Sequence, residues 1–211
     1  MRIDRSGWPF ISSALVVAMV VGLTGGPLWA LPFVVLASFF LFFFRDPDRR
    51  PPASARDVVS PADGRVLVAG KAAPQIAPPG AWQQLSIFLS PLDVHVNRIP
   101  VSGLVSRVDY RPGRFLPAYR REAAEVNERN EIWLDHNGQI VVCRQIVGVL
   151  ARRIRCRIGP GARVATGERF GIMKFGSRVD LFLPPDATLR VRVGDRVRGG
   201  ETVVATLGTN P

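Results

Sequence analysis

The sequence predicts a mostly β soluble domain carried behind an apolar helical hairpin. Three observations lead there: a long uncharged stretch near the N-terminus, a succession of short apolar runs punctuated by Gly and Pro, and a weak internal repeat. With 211 residues and a formal charge of +11, one soluble domain plus an appendage is the natural partition. The expected boundaries are an anchoring hairpin over 1–44, a linker over 45–57 and a β domain over 58–211.

The uncharged stretch runs from Phe10 to Phe44 and breaks at Gly25-Gly26-Pro27. Its two halves, of about 16 and 18 residues, would reach about 24–27 Å as helices, close to a hydrocarbon core of about 30 Å. Two readings follow, a hairpin that spans the bilayer or one that dips into a single leaflet. The uncharged interior, with Trp8 and Trp29 at run ends as interfacial anchors, favours spanning. A cleaved signal peptide fits less well, because a second apolar run would remain. Arg2 and Arg5 precede the stretch, and Arg45, Arg49 and Arg50 follow it, while the central turn carries no cation. The asymmetry predicts both termini on the cytoplasmic side, as for a bacterial inner-membrane protein. Cys143 and Cys156 suit a reducing compartment and need not pair. The basic balance implies an anionic partner. Scattered cations and the lack of a nucleic-acid motif point to anionic lipid, not nucleic acid.

Arg45 to Arg56, with three prolines, is a linker. Strands are expected at Val58–Ser60, Gly64–Ala69, Gln84–Phe88, Val94–Ile99, Gly103–Tyr110, Asn130–Asp135, Ile140–Ile146, Arg153–Ile158, Arg169–Met173, Val179–Leu183, Leu189–Val193 and Thr202–Leu207, a spacing that argues a barrel or sandwich. A helix or loop excursion covers Arg120 to Arg129, and Asp135-His136-Asn137-Gly138 is a hairpin turn by composition. Gly161-Ala162-Arg163-Val164-Ala165-Thr166-Gly167-Glu168 echoes Gly194-Asp195-Arg196-Val197-Arg198-Gly199-Gly200-Glu201. Such turns resemble those of lipoyl- and biotinyl-carrier domains, flattened sandwiches of two similar halves.

The chemistry centres on Phe175-Gly176-Ser177, between the apolar runs Gly171–Met173 and Val179–Leu183. Alone, Gly-Ser reads as a turn or bulge. The alternative is a scission site, with the Ser177 hydroxyl attacking the unobstructed Gly176 carbonyl. Ser60-Pro61-Ala62-Asp63-Gly64-Arg65-Val66 contributes a carboxylate. Phe88-Leu89-Ser90-Pro91-Leu92-Asp93-Val94-His95-Val96-Asn97-Arg98-Ile99-Pro100 contributes an imidazole, so that the parts of an activated nucleophile are present.

With Asn127-Glu128-Arg129-Asn130, and with Gln145-Ile146-Val147-Gly148 and Ala151-Arg152-Arg153-Ile154 taken together as a fifth, these motifs make five separated matches in order. Over roughly Asp57 to Leu207 the chain resembles the phosphatidylserine decarboxylase proenzymes, most closely their short bacterial and archaeal-type branch. The resemblance implies a barrel-sandwich core. It also implies self-cleavage at Gly176-Ser177 into a β chain 1–176 and an α chain 177–211, held together as a heterodimer. Ser177 would become a pyruvoyl group that forms a Schiff base with phosphatidylserine, with no metal. His95 would act as base and later as acid, with Asp63 orienting it. Several larger members carry a histidine where this chain has Arg98; either His95 serves both stages or Arg98 contacts the headgroup. Asn127 and Arg129 are further candidates for the headgroup. Asp93 is a second partner for His95 or a solvated residue.

Three other functions fit worse. A carrier domain would need its lysine in a tight exposed turn, whereas Phe175-Gly176-Ser177 follows Lys174. A zinc peptidase would need about three ligands, usually including histidines, and the chain has only His95 and His136. A non-enzymatic adaptor leaves Asp63, His95 and Ser177 without a purpose.

Overall fold

The computed structural model describes residues 2–52, 54–150 and 153–209. It divides into two compact units, Met1–Asp48 and Arg49–Pro211. In the first, β1 (Arg2–Ile3) precedes α1 (Trp8–Gly25) and α2 (Pro27–Phe43), which β2 (Arg45–Asp46) closes by pairing antiparallel with β1. Gly26 separates the helices at φ 98°, a value open to glycine, and Pro27 starts α2 where its missing N–H costs nothing. Leu15, Val16, Met19, Val20, Leu23, Leu28, Leu31 and Val35 are all exposed on the pair. Phe10, Phe40, Phe43 and Phe44 stack into an aromatic cluster at its β1–β2 end. Among the described residues one helix, Arg5–Gly25, is long and apolar enough to cross a membrane; Pro27–Phe43 is shorter.

The second unit is mostly β. Its strands are β3 (Asp57–Val59), β4 (Gly64–Lys71), β5 (Gln83–Leu89), β6 (Val96–Arg98), β7 (Gly103–Arg111), β8 (Arg129–His136), β9 (Gln139–Ile146), β10 (Ile154–Cys156), β11 (Arg163–Val164), β12 (Arg169–Met173), β13 (Ser177–Leu183), β14 (Thr188–Leu189), β15 (Arg196–Val197) and β16 (Val203–Thr206), with the single-turn helix α3 (Ala123–Val126) before β8. An eight-stranded sheet runs β11-β7-β8-β9-β13-β5-β4-β15, and two three-stranded sheets run β10-β12-β6 and β14-β16-β3. Ala151 and Arg152 of the fifth motif lie outside the described residues.

β13 is buried at every position. Val179, Leu181 and Leu183 enter the main core with Leu85, Ile87, Ile132 and Phe170. Phe182 enters a smaller core with Ile76, Ala124, Val142 and Ile146 on the opposite face. That face also holds the buried ion pairs Arg178–Asp180 (2.6 Å) and Arg144–Glu131 (2.9 Å). Period-two alternation by itself would put the polar residues of β13 in solvent; pairing lets them stay inside. Cys143 and Cys156 are free, and burial holds the Cys143 thiol well above its usual pKa.

The internal echo is structural. β11 pairs with the start of β7 and β15 with the start of β4, at opposite edges of the large sheet. Val105 donates to the Ala162 carbonyl and accepts from Gly161; Val66 does the same with Asp195 and Gly194. Both β4 and β7 then bulge two residues later. Val164 and Val197 plug equivalent ends of the core.

Several expected elements are shorter in the structure, among them Val94–Ile99, reduced to β6 (Val96–Arg98), and Arg153–Ile158, reduced to β10 (Ile154–Cys156). The Arg120–Arg129 excursion keeps one helical turn, because Asn127 turns extended (φ −75°, ψ 155°) to let its side chain reach backbone groups. The Leu189–Val193 strand ends at Leu189, because the Asp195 carboxylate accepts from the Arg192 N–H and bends the chain.

The equivalence of the halves is testable at Gly64 and Gly103. A Cβ would lie 2.1 Å from the Phe88 carbonyl oxygen at the first and 2.2 Å from that of Asp135 at the second. Gly64→Ala and Gly103→Ala should each lower stability by about 1–3 kcal/mol. Chemical denaturation of the two variants checks this, and a loss at one position only would deny the equivalence.

Candidate functional site

The site forms where β12 hands over to β13. Lys174, Phe175 and Gly176 carry the chain from β12 in one sheet to β13 in another, where Ser177 pairs with Leu89. They do so with positive φ at Phe175 (56°) and Gly176 (79°). Phe175 adopts a conformation that costs a residue with a Cβ about 1–3 kcal/mol, so strain sits one residue before the Gly-Ser junction. Ser177 is fully buried, and among the described residues its Oγ has no hydrogen-bond partner. An unpaired buried hydroxyl is unfavourable by about 1–3 kcal/mol.

His95 is buried beside this junction. Its Nδ1 lies 2.9 Å from the carbonyl oxygen of Asp93, and its Nε2 lies 3.4 Å from the Gly176 N–H. A carbonyl can only accept, so Nδ1 carries the proton and Nε2 presents its lone pair to the junction. The Asp93 carboxylate accepts from the Ser90 N–H (2.8 Å), fixing the turn that aims this carbonyl. The tautomer expected to be held by Asp63 is therefore held by the main chain at Asp93.

Asp63 has other partners. Its Oδ2 pairs with Arg49 Nη2 (2.8 Å), and its Oδ1 accepts from the Gly199 N–H (2.7 Å). Arg49 also binds Glu201 (2.9 Å), so Asp63 is locked to the second echoing turn. Burial raises the Asp63 pKa above its usual value; the Gly199 bond and Arg49 oppose that, and the Asp93 charge adds to it.

The three headgroup candidates do not gather in one place. Arg98 is buried, donates to the Gly167 carbonyl (3.1 Å) and packs its Cδ under Gly200, between the two echoing turns. Asn127 spends its amide on backbone: Nδ2 donates to Leu116 O (2.8 Å) and Val147 O (2.9 Å), and Oδ1 accepts from Leu116 N (3.0 Å). Arg129 donates to Glu125 O (2.6 Å) and lies 4.0 Å from Glu131. Its pKa is lowered by burial first and then by Arg144 and Arg111. His136 is engaged elsewhere, its Nδ1 lying 2.6 Å from the Ser102 carbonyl oxygen.

One position went unnoticed in the sequence. A Cβ on residue 148 would fall 2.2 Å from the Gly176 carbonyl oxygen. Gly148 thus lets the backbone of the β9 exit lie against the carbonyl next to Ser177. Asn127 holds that exit through the Val147 carbonyl. The sequence signal was the Gly ending Gln145-Ile146-Val147-Gly148, but only the fold shows what it approaches.

Parts so arranged suit a proenzyme, a chain that matures by breaking its own backbone. A model of the phosphatidylserine decarboxylase family matches residues 36–205. A phosphatidylserine decarboxylase proenzyme of Nitrosomonas europaea is 46% identical over 204 residues, covering 96% of this chain and 94% of the relative. Those of Salinibacter ruber and Pelodictyon phaeoclathratiforme are 46% identical over 200 residues and 49% over 186. They cover 89% and 85% of this chain, and 88% and 86% of their own lengths. The chain belongs to the phosphatidylserine decarboxylase family.

If Gly148 seats the carbonyl that Ser177 attacks, Gly148→Ala should slow self-cleavage by roughly a hundredfold, the cost of a misplacement near 1 Å. Asn127→Ala should slow it less. Timed intact-mass spectra of freshly folded protein report the rates, and cleavage at the parent rate in Gly148→Ala would remove the position from the reaction.

Proposed function

We propose that the chain converts phosphatidylserine to phosphatidylethanolamine after cutting itself between Gly176 and Ser177. The observation that carries this reading is the buried, unpartnered Ser177 hydroxyl directly after Gly176, whose N–H meets the lone pair of His95.

In the first stage His95 Nε2 takes the Ser177 hydroxyl proton, and Oγ attacks the Gly176 carbonyl carbon. The C–N bond breaks, the Ser177 nitrogen gains the proton, and an ester joins Gly176 to Oγ. The 3.4 Å contact between Gly176 N–H and Nε2 is long for a hydrogen bond, so the imidazole can exchange it for the hydroxyl. Removal of the Ser177 α-proton expels the Gly176 carboxylate from Cβ. The resulting dehydroalanine tautomerises, and water displaces ammonia to leave a pyruvoyl terminus. Strain at Phe175 relaxes as the bond opens. Asp63 has a supporting place in this reading: with Arg49 and Gly199 it ties the segment just before β4 to the second echoing turn.

The residues fit the pyruvoyl group, because Ser177 supplies its three carbons and Gly176 leaves no side chain in the way. That carbonyl supplies an electrophile for an amine and a sink for the electron pair left by carbon dioxide. His95 then returns a proton to the substrate carbon. The α chain stays in place as a heterodimer with the β chain, because β13 is laddered to β5 from Ser177 to Leu183 and to β9 from Arg178 to Phe182.

The paired edges, echoing turns and bulges support a barrel-sandwich fold of two similar halves. The apolar exterior of α1 and α2 supports a hairpin in the bilayer, with both ends and the β unit on the cytoplasmic side of a bacterial inner membrane. The net positive charge favours a surface of anionic lipid.

Intact mass of purified protein should show two chains divided at Gly176-Ser177, the smaller bearing a borohydride-reducible terminus. Ser177→Ala should stay uncut and inactive, His95→Ala should cut slower by about two to four orders of magnitude, and His136→Ala should cut normally. An uncut wild-type chain active on lipid would refute the mechanism. Removal of residues 1–44, which spares Arg49, should leave self-cleavage intact and reduce turnover of vesicle lipid far more than that of detergent-dispersed lipid. Equal losses on both substrates would assign the helices to folding of the site.

A further inference from the structure

Three side-chain amides form a chain from the inner face of the large sheet, at β8 and β9, to β6 of the smaller one. Asn130 Nδ2 donates to Gln145 Oε1 (3.2 Å), and Gln145 Nε2 donates to Asn97 Oδ1 (2.8 Å). All three residues are buried. The order of donors fixes the orientation: Asn97 gives its oxygen to Gln145 and is left with its NH2. Among the described residues Asn97 Nδ2 has no hydrogen-bond partner, a condition it shares with Ser177 Oγ.

The register gathers the two at one end of the sheet. Gln145 faces Val179, two residues from Ser177. Asn97 pairs with Gly171 of β12, and a Cβ there would lie 2.9 Å from Gln145 Nε2, so glycine at 171 admits the amide chain. His95 stands two residues before Asn97, just ahead of β6. Arg98, one residue beyond, turns away to Gly167. A buried donor without an acceptor is costly, and here it lies at the end of the sheet where chemistry is expected.

We infer that Asn97 Nδ2 donates a hydrogen bond to the carboxylate of the amino-acid headgroup, the group that leaves as carbon dioxide, with Gln145 and Asn130 as positioning residues. The inference rests on the decarboxylase reading above. The chemistry favours an amide over a cation. When the bond from the α-carbon to the carboxylate breaks, its electron pair stays on the carbon and the carboxylate loses its charge. A guanidinium at that point would stabilise the charged ground state and oppose the step. A neutral donor orients the carboxylate and releases it.

The test uses the processed full-length protein and two lipids that cannot react through nitrogen. N-acetyl phosphatidylserine keeps the carboxylate; N-acetyl phosphatidylethanolamine lacks it. Both are measured as competitive inhibitors in detergent micelles. The parent protein should prefer the first by about tenfold to a hundredfold, the usual worth of a hydrogen bond to a charged group. Asn97→Leu should lose that preference while still cutting itself. Asn97→Asp, which keeps the acceptor for Gln145 but loses the donor and adds a like charge, should reverse it. Asn97→Ser, a smaller donor, should keep part of it and serves should Asn97→Leu not fold. Parent-like preference in Asn97→Leu or Asn97→Asp would overturn the assignment. So would a folded Asn97→Leu that remains uncut, since the donor would then serve the proenzyme. A parent protein that is uncut, or that binds neither lipid, would instead refute the underlying decarboxylase reading.

Discussion

The site depends on one constraint: the bond after Gly176 is the entrance to the central strand of the sheet. Because Ser177 already pairs with Leu89, the chain has only Lys174 to Gly176 in which to turn from β12. That shortness forces the positive φ at Phe175 and Gly176 and carries the Gly176 N–H towards His95. It also draws the Ser177 hydroxyl into the interior, where no described group satisfies it. A longer connector would relax the strain, and the same Gly-Ser would be an ordinary turn. A strand with one partner could not tolerate a cut at its first residue. β13 has partners on both sides, so its ladder does not depend on the covalent link that precedes it.

The echoing turns, which the sequence offered as architecture, also supply local contacts around the site. The first gives the Gly167 carbonyl to Arg98; the second gives the Gly199 N–H to Asp63 and, through Glu201, a second anchor for Arg49. Glycine is required at 167 and 200 because both residues have φ near 80° (79° and 77°), so the backbone of each turn can fold close over β6. Arg98 is clasped between those turns and is spent on the backbone of one of them.

What the sequence disclosed, and what it hid, follows from which interactions use side chains. Ser177, Gly176 and His95 were legible because hydroxyl, missing Cβ and imidazole are properties of residue type. The mate of His95 Nδ1 was hidden because it is a carbonyl, which every residue has. Asp63 drew attention as the obvious carboxylate, yet its oxygens are engaged by a guanidinium from the proline-rich segment and by a main-chain N–H. Asn127 had the look of a ligand residue for the same reason: an amide that binds backbone cannot be told from one that binds substrate until the chain folds. Strand positions in the β unit were readable from period-two alternation. The buried pairs Arg178–Asp180 and Arg144–Glu131 were not, since alternation assigns such residues to solvent and only the second core over that face keeps them in.

The two faces of the sheet around β13 treat polarity in opposite ways, and the difference suits the chemistry. The outer face buries charges and matches each with its opposite: Arg178 with Asp180 and Ser86, Arg144 with Glu131 and the Ile76 carbonyl. The inner face, at the Ser177 end, buries neutral groups in a chain of amides and leaves two of their kind unanswered. In a medium of low dielectric a fixed charge beside the junction would bias the proton affinity of His95 and hold any ionic ligand in its charged state. Neutral dipoles impose direction without that bias.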